Sequence, residues 1–282
     1  MLESLFALLG LNGNPAMELP PIDLLSIAPA PQRIEQQVAP IINATAAIAF
    51  DLDSKKTLWE KQGHKPHAIA SLTKLMTAVI VRENFNLTDK VIVSANAAAQ
   101  LPAKIWLKTN EEISVENLLH ALLIKSGNDA AVALAEHIGT ELLVGKMNTK
   151  AHALGLKNTH FANPVGFDDV ENYSTVHDLA ILSSYVLRDP VLRKIVAMKK
   201  ATIYSTDKKI KHDFVSTNKL FDSYLDIRGL KTGLTKIAGA CFAAVARSKN
   251  NEHEILVIVL NSPQRFQETK IVLEWAIRSH RW

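Results

Sequence analysis

Two continuous apolar runs near the C-terminus place the strongest constraint on the fold of this 282-residue chain. They span Ala240 to Ala246 and Ile255 to Leu260, and the gap between them is polar. Short apolar runs of this kind are typical of buried strands, and a polar gap suits a hairpin turn. We therefore predict a pair of antiparallel core strands here, and a second strand pair at residues 44–50 and 57–60.

Most of the remaining chain has the apolar spacing of helices. Helices are predicted from Ser71 onward, at 115–125, 128–138 and 141–154, from Thr175 to about Leu187, and at 264–279. The order is a strand pair, a helical block, further strands and a closing helix. This order predicts an α/β layered fold: an antiparallel sheet flanked by helices plus a helical lobe, with the active site in the cleft between them.

The first forty residues contain six of the 11 prolines. Because proline resists both helix and sheet, we expect a leader and extended linker over residues 1–40 and one domain over residues 41–282. The apolar stretch Leu5 to Leu11 is short and follows Glu3, so it is not a convincing export signal. No run of about 18 apolar residues occurs, so no membrane-spanning helix is predicted.

Charge and histidine spacing exclude two classes of function. The net charge of +4 is too small to indicate the concentrated basic face of a nucleic-acid-binding protein. The ten histidines include only the short pair His64-x-x-His67, which has no second ligand cluster at a suitable distance. We therefore predict no nucleic acid partner, no metal and no cofactor.

The stretch Ser71-Leu72-Thr73-Lys74 places a hydroxyl and an amine three residues apart where a helical pattern begins. Residues i and i+3 share one helix face, so the amine can reach the hydroxyl. A lysine can accept the serine proton if desolvation or a second cation lowers its pKa. We therefore predict Ser71 as the nucleophile and Lys74 as the general base.

Two further motifs lie downstream, Ser126-Gly127-Asn128 and Lys231-Thr232-Gly233. With the first motif they form the three-part signature of penicillin-recognising serine acyl-transfer enzymes. Each motif alone has an ordinary structural interpretation: an N-cap serine, a capping asparagine, or a tight turn before a strand. The three motifs together favour the catalytic interpretation.

The motifs also predict individual roles. Ser126 is expected to pass a proton to the leaving amine, and Asn128 to bind Lys74 and the substrate backbone. The segment Lys231-Thr232-Gly233 is expected to lie at a strand edge that binds an extended peptide, and Lys231 is a candidate for the cation that lowers the Lys74 pKa.

Two more substrate contacts are predicted. The backbone N–H groups of Ser71 and Leu234 are candidates for an oxyanion hole. Arg265 offers a cationic fork for a substrate that ends in a free carboxylate, although a solvated arginine at a helix start is an equal alternative on local grounds.

On these residues the chain resembles the low-molecular-weight penicillin-binding proteins, specifically the D-alanyl-D-alanine carboxypeptidase family. The resemblance extends from about Ala44 to the C-terminus. It rests on four segments: Ala70 to Ala78, Lys125 to Ala131, Asn163 to Asp168, and Gly229 to Gly233.

This resemblance implies a β-lactamase/transpeptidase-like fold and a serine acyl-enzyme that removes the terminal D-alanine from peptidoglycan stem peptides. The implied partners are the D-Ala-D-Ala terminus of the stem peptide and β-lactam antibiotics, which act as covalent inhibitors. The implied location is extracytoplasmic, in the periplasm or on the cell-wall side of the membrane. The resemblance also strengthens the case for Arg265 as the partner of the substrate carboxylate.

Three alternatives stay open. A D,D-endopeptidase would use the same residues with a different leaving group, although Gly127 favours a carboxypeptidase. A β-lactamase is disfavoured because residues 163–169 contain no glutamate to activate a deacylating water, which predicts slow release of a penicilloyl group. A non-catalytic wall-binding or β-lactam-sensing module is disfavoured because all three motifs are intact.

Overall fold

The computed structural model describes residues 28–34, 37–248 and 253–282. Within these residues, the helices are α1 (Lys74–Asn84), α2 (Ala95–Ala99), α3 (Val115–His120), α4 (Asn128–Ile138), α5 (Thr140–Ala153), α6 (Val176–Arg188), α7 (Pro190–Val196) and α8 (Arg265–Arg278). A 3₁₀ turn (Ala70–Thr73) precedes α1, a π-helical turn (Ala121–Lys125) extends α3, and a second 3₁₀ turn spans Lys219–Asp222.

In the described part of the chain, the strands form one large sheet and four two-stranded ribbons. The strands are β1 (Gln32–Arg33), β2 (Ala46–Asp51), β3 (Lys56–Lys61), β4 (His67–Ala68), β5 (Lys90–Ile92), β6 (Glu112–Ser114), β7 (Tyr173–Ser174), β8 (Lys200–Tyr204), β9 (Lys211–Val215), β10 (Ile227–Thr235), β11 (Gly239–Arg247), β12 (Glu254–Leu260) and β13 (His280–Arg281). The ribbons pair β1 with β13, β4 with β7, β5 with β6, and β8 with β9.

The large sheet is antiparallel and has the order β10-β11-β12-β2-β3. The two apolar runs of the sequence are its central strands β11 and β12, and Arg247 pairs with Glu254 where the two strands meet the polar gap. The predicted strand pair near the start of the chain forms β2 and β3. Within residues 28–34, 37–248 and 253–282, β10 pairs with β11 alone, so it is an edge strand of this sheet.

Both faces of the central strands are buried, which explains why their sequences are continuously apolar. On β12, Leu256 and Ile258 belong to the core shared with the helical lobe, whereas Val257 and Val259 belong to the core shared with α8. Successive side chains of a strand point to opposite faces, so one run of apolar residues supplies two cores. This arrangement is the predicted layered architecture, with α8 on one face and the helical lobe on the other.

Part of the proline-rich segment pairs with the end of the chain. Residues 1–27, 35 and 36 lie outside the described part of the chain. Gln32 and Arg33 pair with Arg281 and His280 in an antiparallel ribbon. The domain boundary near residue 40 stays a prediction. Among the described residues, no helix has the length and apolar character needed to cross a membrane.

Candidate active site

Ser71 and Lys74 are brought together by the turn that precedes α1. Ser71 lies in the 3₁₀ turn, and Lys74 is the first residue of α1. The three-residue spacing aligns the two side chains, and Lys74 Nζ lies 2.9 Å from Ser71 Oγ. The α-helix therefore begins three residues later than the sequence indicated, and its N-cap is Thr73, not Ser71.

Lys74 is completely buried and is held by two oxygen atoms from other parts of the chain. Its Nζ lies 2.9 Å from Asn128 Oδ1 and 2.7 Å from the carbonyl oxygen of Val165. Burial lowers the pKa of Lys74 from 10.5 to about 7, and the nearby charge of Asp129 acts in the opposite direction. At neutral pH the amine can therefore be uncharged and can accept a proton from Ser71.

Lys231 is a second buried amine of the site. It lies in β10 and donates a hydrogen bond of 2.9 Å to the carbonyl oxygen of Thr232. Burial lowers the pKa of Lys231 well below 10.5, and repulsion from Lys74 and Arg265 lowers it further. Burial is the largest cause at both amines, and the repulsion between them disfavours the charged form of each.

The loop from Ser126 to Asn128 connects the π-helical turn to α4. Ser126 is 6% exposed and has a left-handed backbone with φ of 65°, which ends the π-helical turn. Asn128 then begins α4, and its Nδ2 donates to the carbonyl oxygen of Leu101 at 3.1 Å. Since the Oδ1 of the same side chain contacts Lys74, the second motif is in direct contact with the first.

The third motif lies within edge strand β10, so its interpretation as a tight turn before a strand is wrong. Thr232 Oγ1 lies 2.6 Å from Thr217 Oγ1, which ties the edge to the segment after β9. At Gly233, a Cβ atom would lie 3.0 Å from the backbone nitrogen of Ser71. Glycine therefore lets the strand approach the serine backbone closely.

Leu234 and Arg265 lie at the same edge. Leu234 pairs with Ala240 and its side chain is 65% exposed. Arg265 is the first residue of α8, and its guanidinium donates a hydrogen bond to the carbonyl oxygen of Gly233. Burial lowers the pKa of Arg265, and its guanidinium carbon lies 4.9 Å from the Phe266 ring centroid. The cation is thus fixed beside the strand that carries the third motif.

The segment from Asn163 to Asp168 also positions the site, and the sequence analysis assigned it no such role. Its Val165 carbonyl contacts Lys74, and Gly166 has φ of 87°. A Cβ atom on Gly166 would lie 2.0 Å from the carbonyl oxygen of Ala70. Asp168 accepts a hydrogen bond of 3.1 Å from the backbone of Ile237, just past β10. The segment therefore connects the 3₁₀ turn that contains Ser71 to edge strand β10.

One group of side chains in the described part of the chain could hold a metal ion. Oxygen and nitrogen atoms of Asp51, Asp53 and His253 lie within 4.8 Å of one another. Asp51, however, already accepts hydrogen bonds from His253 Nδ1 at 2.9 Å and from the Ser54 backbone at 3.0 Å. Asp53, which is half-buried, accepts a hydrogen bond of 2.6 Å from the Glu254 backbone, so the three side chains form a hydrogen-bonded group.

Comparisons with known proteins give one family. A family model described as D-alanyl-D-alanine carboxypeptidase matches residues 33–264. The carboxypeptidase DacF of Bacillus subtilis is 35% identical over 246 residues, which cover 84% of this chain and 63% of DacF. The carboxypeptidase DacC of Escherichia coli is 33% identical over 273 residues, which cover 90% of this chain and 66% of DacC. The chain therefore spans slightly less than two thirds of these relatives.

Solved structures give the same result for the fold. The Streptomyces K15 DD-transpeptidase superposes with a TM-score of 0.79 at 30% identity, covering 85% of this chain and 98% of that chain. A putative penicillin-binding protein homologue from Mycobacterium tuberculosis superposes with a TM-score of 0.80 at 27% identity, covering 86% of this chain and 95% of that chain.

Proposed function

Since the chain belongs to the D-alanyl-D-alanine carboxypeptidase family and has the fold of the DD-peptidases, we propose that it removes the terminal D-alanine from peptidoglycan stem peptides. The observation that supports this most directly is the distance of 2.9 Å between Ser71 Oγ and Lys74 Nζ, where burial lowers the lysine pKa to about 7. A serine beside an amine that is uncharged at neutral pH is an activated nucleophile.

In the proposed acylation step, Ser71 Oγ attacks the carbonyl carbon between the two D-alanine residues while Lys74 Nζ accepts the hydroxyl proton. The negative charge that develops on the carbonyl oxygen is stabilised by the backbone N–H groups of Ser71 and Leu234. The close approach of Gly233 to the Ser71 nitrogen supports this pair. The tetrahedral intermediate then collapses, the C–N bond breaks, and a proton passes through Ser126 to the leaving amine.

The leaving residue carries a free carboxylate, and the proposed site offers cations for it. Arg265 lies at the Gly233 carbonyl, and Thr232 places a hydroxyl at the same edge. Lys231 adds a donor beneath the strand. Asn128 binds the substrate backbone as well as Lys74. In deacylation, water attacks the ester carbonyl of the acyl-enzyme and gives a proton to Lys74 Nζ, the bond to Ser71 Oγ breaks as Lys74 returns that proton to the serine oxygen, and the shortened peptide is released.

A β-lactam is proposed to acylate Ser71 by the same route and to leave slowly. The segment from Asn163 to Asp168 contacts Lys74 through the Val165 carbonyl, and it contains no glutamate that could activate a water molecule. Since the substrate is part of the cell wall, we propose an extracytoplasmic location, and we assign the activity to residues 41–282.

The test uses a fluorescent penicillin and two peptide substrates. The wild-type protein is expected to form a covalent adduct, and Ser71→Ala is expected to form none. A pentapeptide ending in D-Ala-D-Ala is expected to release free D-alanine. Labelling of both proteins, or of neither, would contradict the assignment of Ser71. Cleavage of a crosslinked peptide dimer without release of D-alanine from the pentapeptide would instead identify an endopeptidase.

A further inference from the structure

A groove of about 610 Å³ lies between the loop 104–106 and the hairpin formed by β8 and β9. Its volume is within the range of ligand-binding clefts. We call it the lysine groove, because Lys104, Lys125 and Lys200 line it. Its lining residues lie outside the three sequence motifs, so the proposed removal of D-alanine gives the groove no role.

One wall of the lysine groove adjoins the group that is proposed to protonate the leaving amine. Lys125 lines the groove and immediately precedes Ser126. On the same wall, the residue before Lys104 is fixed to the second motif, because the backbone N–H of Asn128 donates to the carbonyl oxygen of Ala103 at 2.7 Å. The lysines of this wall are therefore held beside the Ser126 end of the cleft.

The other wall adjoins the group at the edge of β10 that is proposed to meet the leaving carboxylate. Val215 lines the groove at the end of β9, and two residues later Thr217 Oγ1 lies 2.6 Å from Thr232 Oγ1. The backbone N–H of Thr217 also donates to the carbonyl oxygen of Ile124 at 3.2 Å, which joins the two walls. Both walls thus lead to the residues assigned to the leaving side of the cleft.

The lysine groove carries positive charge that the protein does not neutralise. Among the described residues, Lys104, Lys125 and Lys200 form no ion pair with a carboxylate. The acidic residue of the lining, Asp213, is already paired with Lys211 at 2.8 Å. The groove therefore attracts an anion.

An exposed indole lies among these amines, and a buried carboxylate positions it. Trp106 is 64% exposed and has a left-handed backbone with φ of 70°. The buried Asp129 accepts hydrogen bonds from the backbone N–H groups of Ile105, Trp106 and Leu107 at 2.9, 3.0 and 3.2 Å. Lys104 Nζ lies 4.2 Å from the indole ring centroid. Strained residues that the surrounding structure fixes are concentrated at sites of ligand contact.

We propose that the lysine groove binds the side chain of the leaving residue when that side chain is longer than a methyl group and carries an anion. This inference rests on the proposed function, and the C–N bond that breaks is the same. The α-carboxylate of the leaving residue stays at Arg265, its methylene groups pack against Trp106, and the lysines attract its side-chain anion. The enzyme therefore accepts an acidic D-amino acid as the leaving residue, including one that continues into a second peptide.

The test compares three peptides that differ only in the leaving residue: diacetyl-L-Lys-D-Ala-D-Glu, its D-Gln analogue and its D-Ala analogue. Wild type is expected to release all three leaving residues. It should cleave the D-Glu peptide with a higher kcat/KM than the D-Gln peptide, because these two differ by one negative charge.

The lysines are tested by the ratio of these two kcat/KM values. Since an exposed ion pair changes an equilibrium constant about 1.4- to 5-fold, Lys104→Gln, Lys125→Gln and Lys200→Gln should each reduce the ratio by a factor in this range. The triple variant should lose the preference, and about 0.5 M salt should weaken it in wild type. Each protein is compared with itself, so an effect on folding cancels from the ratio.

The control is Lys209→Gln, which removes an exposed lysine at the turn of the same hairpin, outside the lining of the groove. It should keep the wild-type ratio. If wild type releases D-alanine but does not prefer the D-Glu peptide to the D-Gln peptide, or if the triple variant keeps the preference, the inference alone is overturned. Failure of wild type to release D-alanine from the D-Ala peptide would overturn the proposed function itself.

Discussion

The rate of acylation of Ser71 is expected to follow the protonation of Lys74. A lysine whose pKa is about 7 is uncharged in roughly half of the molecules at pH 7. With the ordinary pKa of 10.5, only about one molecule in 3,000 would hold the uncharged amine at this pH. The rate should therefore rise about tenfold per pH unit below pH 7 and level off above it, so that pH 5 is about a hundredfold slower than pH 9.

The substitution Lys74→Gln removes the proposed general base and keeps a side chain that can donate hydrogen bonds at the same place. The amide cannot accept the serine proton, but it can still donate to the oxygen atoms of Asn128 and Val165 that now contact Nζ. Removing a general base reduces rates by about 10²- to 10⁴-fold. We expect a loss of this size at pH 8, together with loss of the pH dependence.

The assay is the rate of adduct formation with a fluorescent penicillin between about pH 5 and pH 9. Lys157→Gln, a change at an exposed lysine after α5, is the control and should give the wild-type profile. Thermal unfolding should show that Lys74→Gln is folded at each pH. A wild-type rate that is constant over this range, or a Lys74→Gln rate equal to that of wild type, would refute the role of Lys74.

Two further predictions concern the supports of the site. Gly166→Ala places a methyl group against the Ala70 carbonyl at a position where φ is 87°, so it should slow acylation and lower the free energy of unfolding by about 1–3 kcal/mol or more in urea. Gly145→Ala, on an exposed part of α5 with no atom within 4 Å of the added carbon, should instead stabilise the protein by about 0.5–1 kcal/mol; equal effects would contradict the argument. Burial lowers the pKa of His212, but its 2.7 Å contact with Glu111 outweighs burial and raises this pKa above 6.5. The contact therefore stabilises the folded protein fully below pH 6.5, and this stabilisation is lost as the pH rises through the raised pKa. His212→Gln should cost about 1–2 kcal/mol at pH 6 and less at pH 9, and an equal cost at both would argue against a charged histidine.

The central sheet and the long helices could be predicted because their burial pattern follows from the order of apolar and polar residues within each segment. The prediction for 128–138 agrees with α4, and the helix predicted from Thr175 is α6, whose first turn donates a hydrogen bond of 3.0 Å from the Asp178 backbone to Thr175 Oγ1. Edge strand β10 was harder to identify. Its sequence around Gly229 and Gly233 has the composition of a turn, and its strand conformation depends on pairing with β11.

The motif residues could be predicted, whereas their supports could not. Val165 contacts Lys74 through a backbone carbonyl, which any residue type could provide. Thr217 belongs to none of the motifs, and its contact with Thr232 depends on how the segment after β9 packs against β10. The sequence left two causes open for the low Lys74 pKa, desolvation and a second cation, because the depth at which a helix residue is buried depends on the elements that cover it.

The burial that lowers the pKa of Lys74 has a cost for the stability of the fold. Between about pH 7 and pH 10.5, the unfolded chain binds more protons at this residue than the folded chain does, so the lowered pKa destabilises the protein at neutral pH. At 1.36 kcal/mol per pKa unit, the cost at pH 7 is on the order of 4–5 kcal/mol, and Lys231 adds a cost of the same sign. The two cores of the central sheet offset this cost, since they bury both faces of β11, β12 and β2. The two lysine amines lie where the 3₁₀ turn that contains Ser71, α4 and β10 meet. Only elements fixed by extensive packing can keep an amine that has no carboxylate partner out of water.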